Sequence, residues 1–271
     1  MLRYITLILC LTVAFDSSAK WLGEEDFIKA NTTSSYTAVA VDYDGTNDYL
    51  VTTATNPFGA DAKTGTFSAW IRIDAGDGAQ RNIAGAFVSG SSSRFLVMLT
   101  SGNLVSVLGR NSGSGTILSM SSTGTYTAGA SWIHILAAWN LAAGTCLLYV
   151  NDTDVKAGGA TCINDTIDYT VASPTYRIGA DAVASAKWNG CMSEVWFSNT
   201  FIDISNASNR LLFRTAGGKP ANLGSDGSTP VGAQPPLYLK TASPNAETNS
   251  GSGGNFTETG AIDACSTSPS D

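Results

Sequence analysis

From Tyr36 to about Phe197, short apolar stretches recur every ten to fifteen residues, separated by clusters of Gly, Ser, Asn and Asp. That spacing predicts an all-β sandwich rather than helices. In residues 66–73 (TFSAWIRI), Phe67, Ala69, Ile71 and Ile73 share one face while Ser68, Trp70 and Arg72 share the other, because successive strand side chains point to opposite sides. Residues 94–99 and 104–108 predict a hairpin through Ser101-Gly102-Asn103, and residues 132–139 and 146–150 a second around 141–144. Residues 176–179 and 191–197 complete the strand-rich part. Residues 206–215 alone read as helical. Residues 216–271 hold six of the eight prolines and repeated Gly, Ser and Asn. They predict an extended, loop-rich tail with one strand, Leu237-Tyr238-Leu239.

The amino-terminal pattern differs. Arg3 precedes a twelve-residue apolar run, 4–15, and small residues stand at Ser17 and Ala19. This matches a secretory signal cleaved after Ala19. The run is shorter than the roughly 20 residues that a membrane helix needs. Ile5, Leu7, Leu9, Leu11 and Val13 alternate, so a retained segment could instead act as a donated strand. The chain thus divides into a signal or donor strand (1–19), a polar lead-in (20–35), a sandwich (36–215) and the tail (216–271).

Composition narrows the function. Charged residues make up 14% of the chain, against roughly 25% in an average protein. The net charge of −7 argues against nucleic-acid binding, which needs a basic stripe. A single histidine, His134, excludes sites built from several imidazoles. Removal of the signal takes Cys10 and leaves Cys146, Cys162, Cys191 and Cys265, an even set suited to an oxidising compartment. Four cysteines allow three pairings. Cys146–Cys162, flanking one hairpin, and Cys191–Cys265, pinning the tail to a core strand, are favoured. Sequons stand at Asn31, Asn151, Asn164, Asn206 and Asn255, close to the number that chance supplies.

Four segments in order resemble the laminin-G-like, concanavalin A-like jelly-roll superfamily: VDYDGTNDYL (41–50), GTFSAWIRI (65–73), SWIH (131–134) running on to LYVND (148–152), and RIGA (177–180) followed by WNGCMSEV (188–195). The tail segments Gly218-Lys219-Pro220, GSDGSTP (224–230) and GSGGNFT (251–257) are similar to ones beside such domains in bacterial and phage-encoded proteins. The resemblance implies an all-β fold, a two-sheet antiparallel jelly-roll sandwich, with glycan recognition, adhesion, glycan processing or assembly among its uses. Many relatives carry Asn-Gly where this chain has Asn151-Asp152, which predicts a longer loop there.

Each chemical candidate has a structural counterpart. Glycoside hydrolases need two carboxylates flanking the bond, and Glu194 stands alone on its strand. His134 alternates with Trp132 and Leu136 and reads as a packed sheet histidine. Asp42, Asp44, Asn47 and Asp48 are candidate Ca²⁺ ligands, since calcium takes six to eight oxygens. An Asx turn is the favoured reading, because the spacing fails the EF-hand loop. Trp70, Trp188 and Trp196, with Arg72 beside Trp70, are candidate sugar-stacking platforms, although a sandwich needs large side chains in its core. The resulting expectation is a secreted, non-catalytic jelly roll whose partners are glycans or copies of itself, through a shallow binding site or through terminal strand exchange.

Overall fold

The computed structural model describes residues 36–88, 92–240 and 242–271. The expectations for the signal or donor strand, the lead-in and Asn31 lie outside the described residues.

Two eight-stranded antiparallel sheets form the molecule. The first runs β10 (Thr153–Asp154), β9 (Thr145–Val150), β8 (Ile133–Asn140), β3 (Thr64–Ile73), β13 (Asn189–Ser198), β1 (Val41–Asp44), β16 (Asp263–Ala264), with β14 (Leu237–Leu239) also on β13. The second runs β11 (Thr161–Cys162), β7 (Thr116–Thr125), β6 (Leu104–Arg110), β5 (Ser93–Leu99), β4 (Arg81–Val88), β12 (Pro174–Ile178), β2 (Tyr49–Thr52), β15 (Thr257–Thr259). The chain is a jelly-roll sandwich.

Between the sheets, Phe67, Ala69, Ile71 and Ile73 of β3 face Phe95, Val97 and Leu99 of β5 in one buried cluster. Phe58 packs edge-on against both Phe95 and Phe197, with ring centroids 5.3 Å away in each case. The outward residues of β3 are buried as well, Ser68 to 1% and Trp70 to 3% exposure. A second apolar cluster also covers the outer face of the first sheet, where Leu136, Tyr149 and Trp196 meet Ile204, Phe213, Leu223 and Tyr238. Residues beyond β13 therefore act as a cover, and the central strands are apolar on both faces.

The tail is more than an extension. Besides the expected strand at 237–239, it supplies β15 and β16, which lie on β2 and β1 at the sheet edges. An open sheet edge invites pairing with another chain, and here the chain's own tail covers it. The helix is shorter than the sequence suggests. It spans Ala207–Arg210, capped by the Asn206 side chain on the Ser208 N–H. Phe213 is then drawn onto Trp196, at 5.1 Å between ring centroids, and the chain turns away.

Both disulfides join the favoured partners, but the first differs in kind. Cys146 lies on β9 and Cys162 on β11, in different sheets, so the bond clamps the sandwich rather than one hairpin. The longer loop expected at Asn151-Asp152 does not form. Thr153 pairs with Val150 across a two-residue turn, with φ of 49° and 69° at Asn151 and Asp152. Asn and Asp are the side chains that best tolerate that left-handed region.

Candidate functional site

A pocket of about 340 Å³ lies over the outer face of the first sheet, where Trp70, Trp132 and Asn151 meet Arg214, Lys219 and Asp271. Its floor follows from strand alternation. Trp70 on β3 and His134 on β8 are direct cross-strand partners, and their rings stack at 4.7 Å and 22°. Ser68 Oγ, two residues back on the same face, hydrogen-bonds His134 Nε2 at 2.9 Å. Burial, with the Arg214 charge second, depresses the imidazole pKa to about 3. His134 is thus a neutral support beneath the indole.

The walls come from distant segments. The turn after β9 projects Asn151, whose Oδ1 accepts the His134 N–H at 2.9 Å. Trp132 donates from Nε1 to Thr267 Oγ1 at 3.2 Å. Arg214 and Lys219 flank a tight turn in which the Thr215 N–H donates to Lys219 O at 2.8 Å and the Gly218 N–H to Thr215 O at 2.9 Å. Trp70 Nε1 and Arg214 Nε are buried without a hydrogen-bond partner. A buried donor left unpaired costs about 1–3 kcal/mol.

The sequence profile of the Concanavalin A-like lectin/glucanases superfamily matches residues 44–206, more than half of the chain and nearly the whole sandwich. The chain belongs to this superfamily. No curated protein matches it by sequence. Among solved structures, this Concanavalin A-like chain is similar to a candidate carbohydrate-binding protein from Bacteroides ovatus, with TM-score 0.58 and 17% identity. That match covers 87% of this chain and 62% of the other. A heptameric SAP-like pentraxin from Limulus polyphemus matches with TM-score 0.49 and 15% identity over 68% of this chain and 87% of that one. Trypanosoma rangeli sialidase matches with TM-score 0.36 and 14% identity, over 52% of this chain and 22% of the enzyme. At these identities the likeness is one of fold.

Within this jelly roll the expected platforms separate. Trp70 lines the pocket. Arg72 stands beside it in sequence but grips Asp74 through Nε and Nη2, at 2.7 and 2.6 Å, and Thr267 Oγ1 through Nη1, at 2.7 Å. Trp188 and Trp196 are corrections: both are fully buried, Trp188 between the sheets and Trp196 under the cover, where its Nε1 donates to Gly227 O at 2.8 Å. Neither offers a face to a ligand. Trp132, Asn151, Arg214, Lys219 and Asp271 were not expected as lining residues. The one sequence signal was the Gly218-Lys219-Pro220 stretch, which carries no register until the fold places it over Trp70.

The acidic cluster is a turn. Asp44 Oδ1 accepts the N–H groups of Thr46, Asn47 and Asp48 at 2.7, 3.0 and 3.3 Å. Burial works to raise the Asp44 carboxyl, and these donors outweigh it and hold it below its ordinary value. Asp48 accepts the Asp44 N–H at 3.0 Å on one oxygen and the Ala261 N–H at 2.9 Å on the other. Asp42 and Asp74 come close together beside Cys191, but that sulfur is committed to its disulfide and Asp74 to Arg72. Asp44 Oδ1 and both Asp48 oxygens are thus engaged by backbone N–H groups. Glu194 lies buried on the outer face of β13 and accepts the hydroxyls of Tyr36 and Tyr238, both at 2.6 Å. Asn151, Asn164, Asn206 and Asn255 are all exposed, as acceptors of a glycan must be.

Proposed function

We propose that the protein is a secreted, non-catalytic glycan-binding jelly roll that seats a sugar ring against the half-buried Trp132, in the pocket whose floor is the buried Trp70. The observation that carries this reading is a half-buried indole, Trp132, set beside two cations without an ion pair among the described residues, Arg214 and Lys219, around one 340 Å³ pocket. Aromatic faces bind the apolar side of a sugar ring, and fixed donors read its hydroxyls. The superfamily and the fold shared with the Bacteroides ovatus protein support it. Among the described lining residues Asp271 is the one carboxylate, whereas glycoside hydrolysis takes two. Two disulfides suit an oxidising compartment, and no helix among the described residues is long and apolar enough to cross a membrane.

Self-assembly by terminal strand exchange has less support. The tail strands lie on their own chain's edges, which leaves the amino-terminal segment as the donor. A glycan array probed with the full chain and with Trp132→Ala tests the proposal. At least one glycan class binds the wild type, and the variant loses about tenfold or more. Absence of any glycan binder, or unchanged binding by Trp132→Ala, overturns it.

A further inference from the structure

Seven of the chain's arginines lie in the described residues. Arg72, Arg81, Arg94 and Arg210 each pair with an aspartate, and Arg110 and Arg177 donate to the carbonyls of Ser93 and Asp181. Arg214 alone has a guanidinium with no hydrogen bond and no ion pair among the described residues, and its Nε is fully buried. In a chain of net charge −7 with 22 acidic residues, an unpaired arginine is not for want of carboxylates. What holds it is shape. Gly218 has φ +80°, and a Cβ there would stand 2.7 Å from Arg214 Nη2, so the guanidinium lies against bare backbone. Lys219, at the other end of the turn, likewise makes no ion pair among the described residues and lines the same pocket. The one acidic side chain on the wall, Asp271, faces back into its own turn, where Oδ2 accepts the Ser268 N–H at 2.7 Å.

Resting on the glycan-binding reading, we infer that this pocket selects an acidic sugar, a ring of the uronic-acid class whose carboxylate lies on Arg214 and Lys219 while the ring lies on Trp132. A guanidinium is a planar fork that matches a carboxylate in two parallel hydrogen bonds, and a lysine adds a point charge. An acidic peptide would satisfy the cations but would leave the Trp132 face without a ring.

Calorimetric titration of the full chain with oligogalacturonates and with their methyl esters isolates the charge, since the ring is the same in both. The acid binds about tenfold tighter than the ester at low salt, and the advantage shrinks as sodium chloride is raised. Arg214→Gln lowers the preference several-fold, and Lys219 keeps the remainder. Gly218→Ala, which displaces the guanidinium without removing it, reduces the preference. The wild-type salt series does not depend on either variant folding. Equal affinity for acid and ester, a preference undiminished in Arg214→Gln, or tighter binding of a sulfated galactan or an Asp-rich peptide overturns the inference. So does binding of neutral glycans with none of the uronates. In the cases where sugars still bind, the glycan reading stands. Failure of every glycan, acidic or neutral, removes both.

Discussion

The turn at 44–48 and the pocket over Trp70 are both dense in polar side chains, yet they end in opposite states. In the turn, acceptors and donors are neighbours along the chain, and the aspartate oxygens meet amides two to four residues away, or that of Ala261 in the tail. In the pocket the donors arrive from remote segments. Trp70 comes from β3 and Arg214 from the cover, and their Nε1 and Nε atoms remain unpartnered. A run of aspartates is therefore a poor sign of a cation site when backbone N–H groups lie within reach. Unpaired donors are a better sign of a ligand, but only beside a cavity: Trp139 and Trp188 also keep unpartnered Nε1 atoms, inside the closed core.

The largest expected effect breaks or confirms the pocket's floor. His134 has its pKa lowered from 6.5 to about 3 by burial and then by Arg214. The folded state thus binds fewer protons than the unfolded one between those values. The associated stability is complete above pH 6.5 and declines as the pH falls toward 3, by on the order of several kcal/mol in all. Denaturant melts at pH 7 and pH 4.5 measure this, and His134→Gln removes that part of the decline. As the chain's sole histidine, its imidazole proton signals report directly. Titration of those signals near pH 6.5 in the folded protein would show that the ring under Trp70 is open to water.

Much of the sandwich is legible from alternation. Residues 66–73 place Phe67, Ala69, Ile71 and Ile73 inward as a period of two demands. The other face is where sequence reading runs out. Trp70 and Trp196 alternate with core residues in the manner of exposed platforms, but which outward face is solvated depends on where residues 199–240 lie. Their apolar positions, Ile204, Phe213 and Leu223, are too widely spaced in sequence to announce a shared surface. The same holds for the pocket: Trp70 and Arg214 have no local pattern in common, whereas the acidic turn is contiguous, and its Asp44 hydrogen bonds are of the local kind that such a run suggests.

A middle-sized effect sharpens the other half of the comparison. Asp48 is 3% exposed and accepts from two amides. Gly260, at φ +87°, leaves room for this, since a Cβ there would stand 2.0 Å from Asp48 Oδ1. Asp48→Ala leaves both amides without that acceptor and costs about 2 kcal/mol, read by denaturant unfolding. The loss is the same with calcium or with chelator. Calcium that stabilises the wild type but not the variant would convert the turn into a metal site.

The smallest effect lies between the two regions, at the turn that carries Asn151 into the pocket. Asp152 holds φ +69°, where glycine is unstrained, so Asp152→Gly gains about half of the roughly 1 kcal/mol that such relief brings. Against this stands the Asp152–Arg210 ion pair, whose carboxylate is 48% exposed and whose loss costs only a few tenths of a kcal/mol. Arg210 also keeps its place over the Tyr149 ring, 4.6 Å from the centroid. The variant therefore melts within about 0.5 kcal/mol of the wild type, on the stabilised side. It binds glycan as before, because Asn151 stays where it was. Inserting one glycine between Asn151 and Asp152 makes the longer loop that the sequence suggests, withdraws Asn151 from the wall and weakens binding. Equal binding by the two variants would show that the tight turn serves the hairpin alone.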